Sequence, residues 1–195
     1  MNALVLAGGE NKRMPAVKGL LEIGGKKIIE SNITLLKSSF RMVTLSTNTP
    51  EYYFYLGCPM VGDILSDRGP MTGILSAMVS SEAACFFVTA CDMPYINAIL
   101  IQYIISKWDN NFDAVIPVYE QRPQPLFGIY SQRIAEHMEL SIKTGRRGLR
   151  DFLKGIAVYY IGEDEVRNID PEGKSFVNIN TVEDYKREGG RSCLG

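Results

Sequence analysis

The chain has 195 residues, 46% of them hydrophobic and 22% charged, with a formal net charge of −1. That length can bury one sizeable core and favours a single domain over residues 1–195; the near-neutral charge gives no sign of general nucleic-acid binding and points to a small ligand. No stretch approaches the roughly 20 apolar residues of a membrane span, and no basic segment precedes a long apolar core at the N-terminus, so a cytoplasmic protein with no membrane partner is expected. The four cysteines, Cys58, Cys85, Cys91 and Cys193, contain no Cys-x-x-Cys pair, and the lone His137 has no second histidine with which to hold zinc. Reduced structural thiols are expected.

In chain order, Asn2 to Leu6 reads as a buried first strand that runs into Ala7, Gly8 and Gly9 and then Lys12, Arg13 and Lys18. Glycine lets the backbone approach a ligand because it has no Cβ and tolerates positive φ. Backbone N–H groups can then meet phosphate oxygens, and the three cations can neutralise a triphosphate. Taken alone, paired glycines are more often a tight strand-to-helix turn beside solvated basic residues. Ile28, Ile29, Ile33, Leu35 and Leu36 predict a helix from about Lys27, and Arg41 to Ser46 a strand ending in Thr47-Asn48. Met60 and Val61 predict a short strand ending at Gly62-Asp63. Asp67 to Gly73 is predicted to break regular structure before helical spacing resumes at Ile74, Ala77 and Met78.

Cys85 to Ala90 is uniformly apolar, as central parallel strands buried on both faces are, and stops at Cys91-Asp92-Met93-Pro94. A helix is predicted over Ile96 to Ile104 with Pro94 marking its entry, then a strand over Ala114 to Val118. Later residues predict a strand over Gln124 to Tyr130, a helix over Gln132 to Leu140, and a Gly/Arg-rich loop from Gly145 running into a short helix ending at Leu153. A strand follows over Val158 to Ile161, then a polar stretch from Glu163 to Gly173 and a closing strand over Phe176 to Asn180. Thr181 is expected to cap a short helix through Tyr185, with Asp184 three residues on, and the chain from Glu188 onward to fray.

Strands alternating with helices over the first 120 residues imply an α/β fold with a mostly parallel central sheet and helices on both faces. Ligands of such sheets sit at the carboxyl ends of strands. Gly8, Gly9, Asn48, Asp63 and Asp92 all fall at predicted carboxyl ends, so residues remote in sequence are expected to line one crevice. Asp92 is a candidate ligand for Mg²⁺, which takes one or two carboxylates plus substrate phosphates; it reads equally as a cap of the following helix. Asp63 can accept hydrogen bonds from a ribose, a base or metal-bound water, and Asn48 can donate and accept at a base edge, although each alone is more often a turn residue. Arg146, Arg147 and Arg150, beside Gly145 and Gly148, suit either a second phosphate-bearing substrate or a solvated helix face. The opening loop lacks the Gly-Lys-Ser/Thr ending of a P-loop and the Gly-x-Gly-x-x-Gly of dinucleotide folds, which disfavours NTP hydrolysis and dinucleotide redox chemistry. His137, in a predicted helix away from the strand ends, is expected to be an exposed helix residue.

Residues 6–18 match the loop Leu-Ala-Gly-Gly-x-x-x-Arg-Met-Gly-x-x-Lys. With Asp63, Gly69-Pro70, Gly73-Ile74, Cys91-Asp92-Met93-Pro94, Gln124-Pro125-Leu126, Arg147-Gly148-Leu149 and Asn178-Ile179-Asn180-Thr181, the chain resembles the nucleotidyltransferases that carry this loop. Within them it resembles the molybdenum cofactor guanylyltransferases (the molybdopterin-guanine dinucleotide biosynthesis protein A family). The resemblance implies a Rossmann-like three-layer sandwich of the nucleotide-diphospho-sugar transferase type. It further implies a nucleotide-binding half over residues 1–120, an acceptor-binding half over 121–187 and a flexible tail over 188–195. The implied reaction is Mg²⁺-dependent transfer of GMP from GTP to the terminal phosphate of molybdenum-bound molybdopterin, with release of pyrophosphate; the implied partners include other molybdenum cofactor enzymes in transient contact.

By the same resemblance, Leu6, Ala7, Gly8, Gly9, Lys18, Asn48, Asp63 and Asp92 match GTP-binding positions, and Asp92 matches the magnesium ligand. Arg13, Lys18 and Asp92 match the groups that manage charge on the transferring phosphate. Arg146, Arg147, Asn178 and Asn180 match the pterin side. Pro15 departs from the pattern, standing where the family has glycine; it has no N–H and so removes one potential phosphate donor. Cytidylyl transfer to molybdopterin, guanylyl transfer to a cobinamide phosphate, and a catalytically silent nucleotide-binding protein are the alternatives compatible with these residues.

Overall fold

The computed structural model describes residues 1–8 and 16–190. Gly9, Lys12, Arg13 and Pro15 of the opening loop, and Cys193, lie outside the described residues. One large sheet contains β1 (Asn2–Leu6), β4 (Val43–Ser46), β5 (Met60–Val61), β6 (Cys85–Ala90), β7 (Ala114–Tyr119), β8 (Arg122–Pro123), β9 (Phe127–Ser131) and β10 (Val158–Ile161). A two-stranded ribbon, β2 (Glu22–Ile23) with β3 (Lys26–Lys27), stands apart from it. The helices are α1 (Ile28–Ser39), α2 (Pro70–Val79), α3 (Ala98–Ser106), α4 (Ala135–Lys143), α5 (Leu149–Leu153), α6 (Glu163–Arg167) and α7 (Val182–Arg187).

Strand order across the sheet is β10-β7-β9-β6-β1-β4-β5, with β8 paired to β7. β6, β1, β4 and β5 are parallel neighbours, as are β10 and β7, while β9 runs antiparallel to both β6 and β7. The mostly parallel sheet expected from the alternation is therefore interrupted by one reversed strand. The reversal begins at the β7–β8 hairpin, whose two turn residues, Glu120 (φ 49°) and Gln121 (φ 57°), are both left-handed. Two-residue hairpins of this kind favour Asn-Gly or Asp-Gly, and no such signal is present. The turn is instead held from outside, where the Glu163 carboxylate accepts the Gln121 N–H at 2.9 Å.

Side chains alternate across the sheet with the period of two that strands impose. Ala3, Val5, Val43, Leu45, Phe87, Val115 and Ile129 face a core completed by Ile29, Ile33 and Leu36 of α1 and by Leu100, Ile101 and Ile104 of α3. Leu4, Leu6, Phe86, Val88, Ala114, Ile116 and Tyr130 face the opposite core, closed by Ile74 and Met78 of α2, Met138 and Ile142 of α4 and Phe152 of α5. Three layers result, as expected for this class, because a sheet apolar on both faces must be covered on both.

Four local expectations are corrected. Residues 70–73 are helical: α2 opens at Pro70, whose missing N–H costs nothing at the first helical position, after Gly69 at φ 152°. Helix α3 is capped not near Pro94 but by Asn97, whose side-chain oxygen accepts the N–H groups of Ile99 and Leu100 at 2.8 and 3.3 Å. The polar stretch after residue 162 contains α6, which carries three acids in its first turn and Arg167 in its last, the order that suits the helix dipole, and buries only Val166. Residues 176–180 form no strand. A 3₁₀ turn over Lys174–Phe176 leads into an extended segment that crosses the carboxyl end of β6, where the Ile179 N–H donates to the Asp92 carbonyl at 2.9 Å.

Candidate active site

The carboxyl ends of β1, β4, β5 and β6 open into a crevice of about 600 Å³, within the size range of ligand pockets. Leu6, Ala7 and Gly8 form its floor at the end of β1, where Ala7 N–H donates to the Ser46 carbonyl and Cys91 N–H to the Leu6 carbonyl, extending the parallel pairing just past the strands. Asn48 and Asp63 line it from the ends of β4 and β5, Asp92 and Lys18 from the other side, and Asn178 and Asn180 from the segment that crosses β6.

Lys18 and Asp92, 74 residues apart, meet at 3.0 Å from Nζ to Oδ2. The same ammonium donates to Asn180 Oδ1 at 2.6 Å. Side-chain exposures of 22% for Lys18 and 14% for Asp92 leave both within reach of a ligand. The approach depends on Gly19, the next residue: a Cβ there would lie 3.3 Å from Cys91 Cβ and 3.4 Å from the Tyr53 hydroxyl, so a side chain would push the lysine turn away from the end of β6. Cys91 itself is buried, and burial lifts its thiol to about 12, leaving it protonated at neutral pH.

Asn48 and Asp63 form a reciprocal clasp at the other wall. Asn48 Nδ2 donates to Asp63 Oδ2 at 2.6 Å, and the Asp63 N–H donates to Asn48 Oδ1 at 2.8 Å. The clasp holds two turns in register and leaves Asp63 with further acceptor capacity, because a carboxylate accepts about four hydrogen bonds. Pro70, Gly73 and Leu126 of the motifs quoted above also line the crevice, as do Thr49, Tyr52, Tyr53 and Arg68, which were not singled out by sequence. The one available signal was the aromatic run Tyr52 to Tyr55, which begins four residues after Asn48. Tyr53 is 1% exposed, with burial pushing its phenol up, whereas Tyr52 is 45% exposed and packs edge-on against it.

Arg146 and Arg147 are exposed and do not line the crevice. Arg147 pairs with Asp67 at 2.6 Å, one residue before the crevice-lining Arg68, while Arg146 reaches Thr144 Oγ1 at 3.5 Å. Asn178 turns its amide back to the Phe176 carbonyl at 2.9 Å. His137 is exposed on α4 against the ring of Phe152.

The segment that carries Asn178 and Asn180 is anchored by α7. Thr181 Oγ1 accepts the Asp184 N–H, and Asp184 Oδ2 accepts the N–H groups of Asn180 and Thr181 at 3.1 and 3.0 Å. Burial raises the Asp184 pKa, but these N–H groups, the Thr181 hydroxyl and Arg187 outweigh it and hold the carboxyl below its usual range. A carboxyl depressed in the folded state contributes stability that is complete above its unfolded pKa, near 3.9, and lost as pH falls through the lower folded value. Hydrogen exchange at the Asn180 and Thr181 amides is therefore expected to accelerate below about pH 3.9, more than pH alone accounts for, and not between pH 5 and 8.

The sequence model of the MobA-like NTP transferase domain matches residues 3–163. The chain belongs to the MobA-like NTP transferase family. It is 33% identical over 181 residues to the probable molybdenum cofactor guanylyltransferase of Pelotomaculum thermopropionicum, covering 93% of this chain and 88% of that one. It is 30% identical over 192 residues to the protein of the same name from Peptoclostridium acidaminophilum, covering 95% and 87%. Among solved structures, the molybdopterin-guanine dinucleotide biosynthesis protein A of Archaeoglobus fulgidus superimposes with a TM-score of 0.82 at 27% identity over 96% of each chain. The chain is therefore a nucleotidyltransferase of this family, and the crevice at the strand ends, where Lys18 meets Asp92, is its candidate site. Among the described residues no three histidine, cysteine or acidic side chains cluster as a metal cage. Asp92, a single carboxylate on its wall of an open crevice, fits a divalent cation that arrives with nucleotide phosphates as its other ligands.

Proposed function

We propose that this protein transfers GMP from GTP to the terminal phosphate of molybdenum-bound molybdopterin, forming the guanine dinucleotide and releasing pyrophosphate. An oxygen of the acceptor phosphate bonds to the α-phosphorus, the bond from that phosphorus to the β-phosphate bridging oxygen breaks, and the electron pair leaves with pyrophosphate. The observation that carries the reading is the meeting of Lys18 and Asp92 at 3.0 Å in a crevice whose opposite wall is the Asn48–Asp63 clasp. One end of the site is charged for polyphosphate, and the other presents neutral donors and a carboxylate suited to a ribose or base edge. Guanine, molybdopterin and the direction of the reaction are read from the names of the relatives.

Magnesium is the proposed metal; Asp92 and the nucleotide would hold it, and it would supply Lewis-acid polarisation of the phosphoryl oxygens. Lys18 donates to phosphate oxygens, and the floor of Leu6, Ala7 and Gly8 brings backbone within reach of the nucleotide without side-chain bulk. Asn48 and Asp63 orient its nucleoside. No covalent enzyme intermediate is required, since holding two anions in line and screening their repulsion supplies most of the acceleration. Arg146, Arg147, Asn178 and Asn180 are proposed for the acceptor side, with Arg147 exchanging Asp67 for an acceptor anion. We place the enzyme in the cytoplasm, as one domain whose halves meet at the crevice, in passing contact with the enzymes that make or use the cofactor.

Calorimetry with Mg²⁺ and each nucleotide, followed by mass analysis of the product formed with molybdenum-molybdopterin, tests the reading. GTP is expected to bind more tightly than CTP, and the product to have the mass of the guanine dinucleotide. Tighter CTP binding would refute guanine specificity, and a protein that binds nucleotide but releases no pyrophosphate with any acceptor would be a silent binder.

A further inference from the structure

Asn180 stands on the segment that crosses the end of β6, and its backbone is pinned on both sides. The Ile179 N–H donates to the Asp92 carbonyl, Ile179 is fully buried against Leu21, Ile28 and Tyr185, and the Asn180 N–H is taken by Asp184. From this fixed point its side-chain oxygen takes the Lys18 ammonium at 2.6 Å, shorter than the 3.0 Å contact with Asp92. A lysine head is a point charge on a flexible four-carbon stem, so one acceptor leaves it free to swing, whereas two acceptors on separate segments define its place. An ammonium has three N–H donors. Among the described residues Asp92 and Asn180 take two, which leaves the third for a ligand oxygen.

We infer that Asn180 is a positioning residue for Lys18: it fixes the ammonium against the carboxyl end of β6, so that GTP meets a preorganised cation before any acceptor is bound. The inference rests on the proposed GTP site and extends it, because it assigns to a residue on the acceptor side a role in nucleotide binding. Preorganised groups bind more tightly than mobile ones because less freedom is lost on association.

A double-mutant cycle on Mg-GTP affinity, measured by calorimetry with no acceptor present, provides the test. Asn180 is exposed, so Asn180→Leu is expected to fold, with Asn180→Ala as the second variant and thermal unfolding as the control. Loss of one charge-assisted hydrogen bond is expected to weaken GTP binding about tenfold in the wild-type background. In a Lys18→Met background the same substitution is expected to change affinity less than about twofold, because the group through which it acts is gone. Unchanged affinity on Asn180→Leu would overturn the inference and leave Asn180 to the acceptor alone. An equal tenfold loss in both backgrounds would also overturn it, making Asn180 a direct nucleotide contact. Failure of the wild-type protein to bind GTP would instead overturn the proposed function, and this inference with it.

Discussion

Replacing Asp92 with asparagine is expected to lower pyrophosphate release by about 10²- to 10³-fold, the range seen when one preorganised electrostatic partner is taken from a reacting centre. That loss corresponds to roughly 2.7–4 kcal/mol of barrier. The substitution keeps the side chain's shape, and the carboxylate's hydrogen-bond partner is Lys18, so the fold has little to lose. The Asp92 carbonyl, which anchors Ile179, is untouched. What goes is the negative charge: Lys18 loses its counter-ion, and the proposed nucleotide-borne cation would lose its protein carboxylate. Pyrophosphate release measured beside thermal unfolding separates the two roles. Unchanged release would remove Asp92 from the reaction, and a large drop in melting temperature would make it a structural residue.

The largest expected effect on stability is at Gly128, the second residue of β9. A Cβ there would lie 2.5 Å from the Val115 carbonyl oxygen and 2.7 Å from Ile116 Cδ1. The first of these is backbone of the neighbouring strand β7 and cannot rotate aside, so β9 must move from a sheet in which it is paired on both sides. Overpacking of this kind costs about 1–3 kcal/mol and occasionally more. Gly128→Ala is expected to lower the melting temperature by several degrees, at about 2–4 °C per kcal/mol for a chain of this size. A melting temperature within a degree of wild type would show that β7 and β9 separate more easily than their pairing indicates. The glycine and its strand are legible in the sequence, but the partner 13 residues earlier is not, because nothing in the sequence signals that this strand runs antiparallel.

Elements with strong periodicity were readable: β6 and β10 begin and end where their apolar runs do, and α1 starts one residue after Lys27. The cap of α7 was readable too, since Thr181 and Asp184 carry the local hydrogen-bonding groups that a helix start needs. Helix α6 was not, because its five residues bury one side chain and leave no apolar stripe. The segment 176–180 misled, because Val177 and Ile179 alternate with polar residues like a strand. Ile179 is instead buried with Leu21, Ile28 and Tyr185, away from the main sheet. Alternation reports that one face is covered, not what covers it.

The three-layer α/β class, the gathering of strand ends into one crevice and the chemical identity of the groups there follow from the residues alone, because burial periodicity and side-chain type are local properties of the chain. Which groups touch is set by the folded arrangement. Lys18 meets Asp92 across 74 residues and Asn180 across 162, Asn48 clasps Asp63 across 15, and Arg147 is held by Asp67 outside the crevice. These pairings depend on strand order and on the path of the segment over β6, both of which are fixed by packing between distant parts of the chain.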